Sequence, residues 1–185
     1  HCRMSIEYNE DNLVEQATVD ILADIGWEIQ TAWHNEIFGV DGNLGRENKS
    51  EVILQKYLLV ALENLNPDLP QSVYKDAYLQ IAQREADKTL DRANKEKYEL
   101  IKSGVKVSFT NDDGELTRKT LKVFDFNNPE NNHFLAVRQL EVTGELYNRR
   151  PDVIGFVNGI PLVFFELKAH TRDLRHAYDD NLKDY

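Results

Sequence analysis

A single cysteine, Cys2, among 185 residues rules out an internal disulfide, and such sparse use fits a reducing cytoplasm. The chain has no apolar run of about 18 residues and no charged-then-apolar leader, so neither a membrane-spanning helix nor a secretory signal is expected. It has no internal repeat and no low-complexity stretch, which excludes solenoids and disordered linkers. A Gly-x-x-x-x-Gly-Lys-Ser/Thr phosphate loop is also missing, so the chain does not carry that kind of ATP-driven motor. Excess positive charge is missing as well. With 22 Lys and Arg against 32 Asp and Glu the net charge is −10, which opposes a domain that grips nucleic acid unaided.

The remainder describes a folded protein. Hydrophobic residues make up 41% of the chain and aromatics 10%, enough for a single domain with a sizeable core. Leu13, Ala17, Ile21 and Ile25, widened by Val14 and Leu22, recur at helical spacing and predict a first helix stopped by Gly26. Residues 27–33 read as a short strand and 35–49 as a Gly- and Asn-rich loop. Ser50 is the expected cap of a helix carrying Ile53, Tyr57, Val60, Ala61 and Leu65, ended by Asn66-Pro67-Asp68. Helices are expected over 70–84 and 88–103, then strands over 105–109, 116–126 and 133–142, with a turn at Asn111-Asp112-Asp113-Gly114. A last helix is expected over 171–185. The fold class is therefore α/β, a mixed central sheet flanked by helices, with the helices of 50–103 as an added layer.

The most informative words lie near the C-terminus: Arg149-Arg150-Pro151-Asp152, then Phe156-Val-Asn-Gly-Ile-Pro-Leu162, then Phe165-Glu166-Leu167-Lys168. Apolar runs of this kind read as strands buried on both faces, where an acid or a base is costly unless paired. Residues two apart on a strand share a face, so Glu166 and Lys168 point together while Leu167 packs opposite. Two carboxylates and an ammonium on neighbouring strands make a site for a divalent cation and an activated water.

This block resembles the Pro-Asp…Glu-x-Lys core of metal-dependent nucleases. More narrowly, it is similar to the N-terminal nuclease domain of the restriction (motor) subunit of type I restriction-modification enzymes. The resemblance covers most of the chain, through Leu13-Val-Glu15-Gln, Gly45-Arg46, Ala61-Leu-Glu-Asn-Leu-Asn-Pro and Asn132-His-Phe-Leu-Ala-Val-Arg-Gln139. It implies a restriction-endonuclease-like fold spanning residues 1–185 as one domain: 5–34 the first core helix and strand, 50–103 a helical insertion, 104–185 the nuclease sheet and final helix. It implies Mg²⁺-dependent cleavage of double-stranded DNA by a type I site-specific deoxyribonuclease. Asp152, Glu166 and the carbonyl of Leu167 would ligate the cation, Lys168 would act on the attacking water, and Glu15 would sit near the metal. Asn181 and Tyr185 stand where the group shows Gln-x-x-x-Tyr, and His133, Arg149 and Arg150 are candidate phosphate contacts. The implied partners are the modification and specificity subunits and an ATP-driven motor downstream in the same chain. The piece alone is expected to bind DNA weakly and to be inactive.

Each of these residues also has a structural reading. Asp152 can cap the turn after Pro151, Glu166 and Lys168 can form an edge-strand ion pair, and Glu15 can be a solvated helix residue. Tyr185 can anchor its helix, and the two arginines can be counterions. The rival functions are a non-catalytic assembly module and a stand-alone repair nuclease. Geometry supplies a test. A two-residue turn at Asn158-Gly159 would place Asp152 opposite Phe165, facing away from Glu166 and Lys168. A shared site therefore requires one extra residue, either a bulge at Gly159 in a three-residue turn or another bulge before Glu166, near Pro161.

Overall fold

The structure, a computed structural model, describes residues 10–83, 90–144 and 148–167. In order they form α1 (Glu10–Asp24), β1 (Glu28–Thr31), α2 (Gln55–Leu65), α3 (Gln71–Ala82), α4 (Leu90–Ser103), β2 (Val105–Thr110) and β3 (Leu116–Leu121). After a short 3₁₀ turn come β4 (Phe134–Arg138), β5 (Val142–Thr143), β6 (Asn148–Arg149), β7 (Val153–Val157) and β8 (Ile160–Phe165). The final helix expected over 171–185 lies outside the described residues. None of the described helices is long and apolar enough to cross a membrane.

Two compact units share the chain. One holds residues 1–36, 134–156 and 161–185; the other holds 37–133 and 157–160. The first contains a four-stranded mixed sheet in the order β1-β4-β7-β8. β1 and β4 run parallel, Glu28 opposite Leu135 and Thr31 opposite Arg138. β4 and β7 run antiparallel, as shown by the bonds from Gln139 N to Asp152 O and from Asn158 N to His133 O at the two ends of the pair. On one face of the sheet, Val19 and Leu22 of α1 pack with Ala136, Val153, Trp27, Ile29 and Phe165.

The buried stripe of α1 differs from the expected one. Leu13, Ile21 and Ile25 are exposed, while Glu15, Val19 and Leu22 face inward. The helix is therefore turned by a polar requirement rather than by its apolar residues. Glu15 is held by a partner on β4, and burying it carries Val19 and Leu22 along at one-turn spacing.

In the second unit, α2 and α3 pack with β2 and β3 around Leu58, Leu62, Tyr74, Ile81, Val105 and Leu121. Among the described residues β2 and β3 pair only with each other and not with the central sheet as the sequence suggested, and β3 ends at Leu121 rather than at residue 126. The expected cap is also replaced. α2 begins after Leu54 with no side-chain cap, and Ser50 binds the Asn48 side chain instead. The helix is started by a backbone bond, Leu54 N to Gly159 O at 2.8 Å. Its C-terminal Asn66 fits the expected stop and clamps residue 122, donating to Lys122 O and accepting from Lys122 N.

The turn between β7 and β8 decides against the first of the two bulges that the sequence left open, the one at Gly159. Asn158 (φ 51) and Gly159 (φ 79) both adopt left-handed conformations, the signature of a two-residue type I′ hairpin rather than a type I turn closed by a glycine bulge. Asn158 fits because its buried amide is fully used: Oδ1 accepts from His133 N, and Nδ2 donates to Val123 O and Asn132 Oδ1.

Candidate functional site

The extra residue needed for a shared site lies in β8. A Cβ built on Gly155 would sit 3.4 Å from Val163 Cβ, so residues 155 and 163 project to one face. Val153 and Phe165 likewise share one cluster. A regular hairpin from a two-residue turn would place both pairs on opposite faces. One additional residue between Ile160 and Val163, at Pro161 or Leu162, restores the parity. Continued one residue past each strand end, the same parity would set Asp152 and Glu166 on one face. A side chain at Gly155 would press on Trp27, whose ring atoms lie 3.0 and 3.1 Å from that built Cβ.

Among the described residues β8 is one of the two outer strands of the sheet, and Leu162, Val163 and Phe164 are exposed. The expectation of a strand buried on both faces holds for β7 but not for β8.

At the ends of these strands a polar group assembles. Asp152 follows Pro151 just before β7, and its Oδ2 accepts a bond from Leu167 N at 2.7 Å. The chain just after Glu166 thus runs directly beside the Asp152 carboxylate. Glu15, 6% exposed on α1, receives two neighbouring residues from the end of β4. Arg138 Nε donates to its Oε1 at 2.7 Å, and Gln139 Nε2 to its Oε2 at 2.9 Å. The same Gln139 nitrogen lies 3.3 Å from Asp152 Oδ1. Each carboxylate therefore has one oxygen anchored elsewhere and turns the other toward a single NH₂ group. Gln139 adopts φ 52, a left-handed conformation rare for a side chain of its size, which takes it out of strand alternation at the end of β4.

Of the expected site residues, Glu15 and Asp152 are brought together and Glu166 is half-buried two positions after Phe164, next to the anchored Leu167 N–H. Among the described residues no three His, Cys, Asp or Glu side chains gather closely enough to hold a metal ion. The assembled group is two carboxylates and an amide. Arg149 pairs with Val142 across β5 and β6. Arg150 lies over the Trp33 ring at 3.9 Å, a cation–π contact that holds the guanidinium near the start of the Pro151-Asp152 segment. His133 belongs to the other unit, where its ring stacks on Tyr57 at 5.1 Å. Lys168, Asn181 and Tyr185 lie outside the described residues. The sequence reading gave Arg138 and Gln139 no role at the site, although they close the Asn132–Gln139 word that carries part of the resemblance.

A mixed sheet with carboxylates drawn together at its strand ends defines an α/β protein with an acidic site. The chain belongs to the family of type I restriction enzyme R protein N-terminal regions, whose model matches residues 7–185. It is 36% identical over 173 residues, 91% of its length, to the type I restriction enzyme HindI endonuclease subunit of Haemophilus influenzae. It is 30% identical over 183 residues, 94% of its length, to the putative type I restriction enzyme MjaIXP endonuclease subunit of Methanocaldococcus jannaschii. The chain spans 16% of the length of each of these two relatives.

Proposed function

We propose that this chain is the DNA-cutting domain of a type I restriction enzyme, a Mg²⁺-dependent endonuclease with a restriction-endonuclease-like core. What supports this most is the meeting of Glu15 and Asp152 at one amide nitrogen, in a chain of this family. Like charges brought close repel unless a cation or a donor lies between them. The residues fit a hard divalent cation, which takes oxygen ligands and keeps several waters. Each carboxylate turns one oxygen toward the Gln139 amide, and its other oxygen is fixed, by Arg138 for Glu15 and by the Leu167 N–H for Asp152.

Asp152, Glu166 and the Leu167 carbonyl would hold the cation, with Glu15 beside them. When bound, it would supply positive charge to the scissile phosphate and make water acidic enough to ionise near neutral pH. Lys168 orients the attacking water and stabilises the negative charge that develops on the phosphate. Asp152 stays in place throughout because its second oxygen is tied to the backbone. Arg149 and Arg150 meet the DNA backbone as phosphate contacts without sequence preference, and Asn181 and Tyr185 are supporting residues of the same activity. Recognition and modification fall to partner subunits, and ATP-driven translocation to a motor in the same polypeptide.

The test is made in the assembled enzyme. Asp152→Ala, Glu166→Ala and Lys168→Ala should each abolish DNA cleavage and leave ATP-driven translocation working, since a lost ligand or charge at the reacting phosphate cannot be replaced from solvent. Cleavage retained by Lys168→Ala would overturn the assignment.

A further inference from the structure

Gln139 is the uncharged member of the acidic group, and its backbone is held in a conformation that most side chains avoid (φ 52). Its Nε2 is shared between Glu15 Oε2 at 2.9 Å and Asp152 Oδ1 at 3.3 Å. The second oxygens of both acids are already committed, to Arg138 Nε and Leu167 N, each at 2.7 Å. The two remaining oxygens thus converge on one point, which an NH₂ group fills with partial positive charge.

A primary amide carries a donor and an acceptor on one carbon, and rotation about its last torsion is soft and nearly two-fold. Half a turn replaces NH₂ by the carbonyl oxygen without moving the rest of the side chain. We propose that Gln139 is itself a cation ligand. Its NH₂ holds Glu15 and Asp152 together while no metal is bound, and its Oε1 turns toward the cation when one enters. This deepens the proposed cation site and rests on it.

Gln139 Oε1 from the end of β4 would then join the oxygens of Asp152, Glu166 and Leu167, with Glu15 of α1 beside them. A neutral ligand adds no further negative charge to the acids already there, one of which Arg138 offsets. A lysine at position 139 would instead place a permanent internal cation there.

The test is Mn²⁺ and Ca²⁺ titration of the protein by calorimetry, comparing the parent with Gln139→Met, Gln139→His and Asp152→Asn. Gln139→Met keeps the volume and removes the oxygen, and should weaken Mn²⁺ binding on the order of tenfold. Gln139→His puts an imidazole in the ligand shell. It should raise the ratio of Mn²⁺ to Ca²⁺ affinity on the order of tenfold, because calcium prefers oxygen and a transition metal accepts nitrogen. A residue that merely braces the acids would leave that ratio unchanged. If Gln139→Met and Gln139→His match the parent in affinity and ratio while Asp152→Asn loses binding, the inference falls and the cation site stands. If the parent and Asp152→Asn bind Mn²⁺ alike, both fall. Should Gln139→Met fail to fold, the Gln139→His ratio decides.

Discussion

The ion pair between Glu15 and Arg138 should behave as a buried one, and its two ends should not be equivalent. The Nε to Oε1 distance is 2.7 Å, and the side chains are 8% exposed for Glu15 and 23% for Arg138. An exposed pair contributes about 0.2–1 kcal/mol, whereas removing one partner of a buried pair costs about 3–5 kcal/mol because the other charge stays buried. Arg138→Met strands the Glu15 carboxylate with Gln139 as its remaining partner among the bonds described, so a cost of about 3 kcal/mol is expected. Glu15→Gln leaves a guanidinium that is nearly a quarter exposed and can recover water, so it should cost only about 1–2 kcal/mol. The double variant should be little worse than Arg138→Met alone, a coupling of about 1–2 kcal/mol. Urea denaturation followed by tryptophan fluorescence suits the measurement, since both tryptophans, Trp27 and Trp33, lie in the same unit as the pair. Raising the salt from about 0.05 to about 0.5 M should leave the coupling nearly unchanged, because burial limits screening. A coupling under about 0.5 kcal/mol, or Glu15→Gln costing more than Arg138→Met, would refute the reasoning.

Two further outcomes concern the other unit. Asn158→Ala removes the acceptor of His133 N and the donor to Val123 O and Asn132 Oδ1 and puts alanine at φ 51. It should cost about 3–5 kcal/mol in chemical denaturation, and a loss under about 1 kcal/mol would contradict the reading. The Asp125 carboxyl is held below the usual carboxylate range, first by the Asn131 amide and then by the N–H groups of Asn128 and Asn127. A depressed value in the folded state adds stability that is complete above the unfolded value of about 4 and disappears as pH falls through the folded one. The gap between the parent and Asp125→Asn should therefore be widest above about pH 4 and close in stronger acid; a gap that widens on acidification would show the sign to be wrong.

What the sequence disclosed was local. The spans of α1, α3 and α4, the Asn111–Gly114 turn and the stop at Asn66 follow from periodicity and turn residues, which act within a few positions. What it hid depends on distant partners. Glu15 looks like a solvent-facing helix residue until Arg138, 123 positions away, is brought beside it. The pattern of α1 then misleads, because an apolar count gives a buried acid no weight and assigns the inward face to Leu13, Ala17 and Ile21. The hairpin of β2 and β3 was equally visible as a hairpin, but a strand's own residues do not say which sheet it joins. Gln139 carried no signal of its own, since its importance lies in a backbone angle and in two acids from other elements.

The β7–β8 hairpin shows how such requirements are reconciled. Asn-Gly is the strongest short signal for a type I′ turn, whose twist matches the strands it joins, and φ of 51 and 79 shows the turn obeying it. Taken alone, that turn would set Asp152 and Glu166 on opposite faces of the sheet. The parity is restored in β8 instead, at Pro161 or Leu162, where an edge position makes the correction inexpensive. Proline has no N–H to lose from a ladder, and an edge strand has no outer neighbour whose pairing an extra residue would disrupt. Moving the offset away from the turn leaves Asn158 free to satisfy its buried bonds to His133, Val123 and Asn132. Downstream of the offset, Phe165 still packs with Val153 and Trp27, while the chain past Glu166 closes on Asp152 through the Leu167 N–H. Turn chemistry, core packing and the placement of the acids are thus met at three separate points along some sixteen residues.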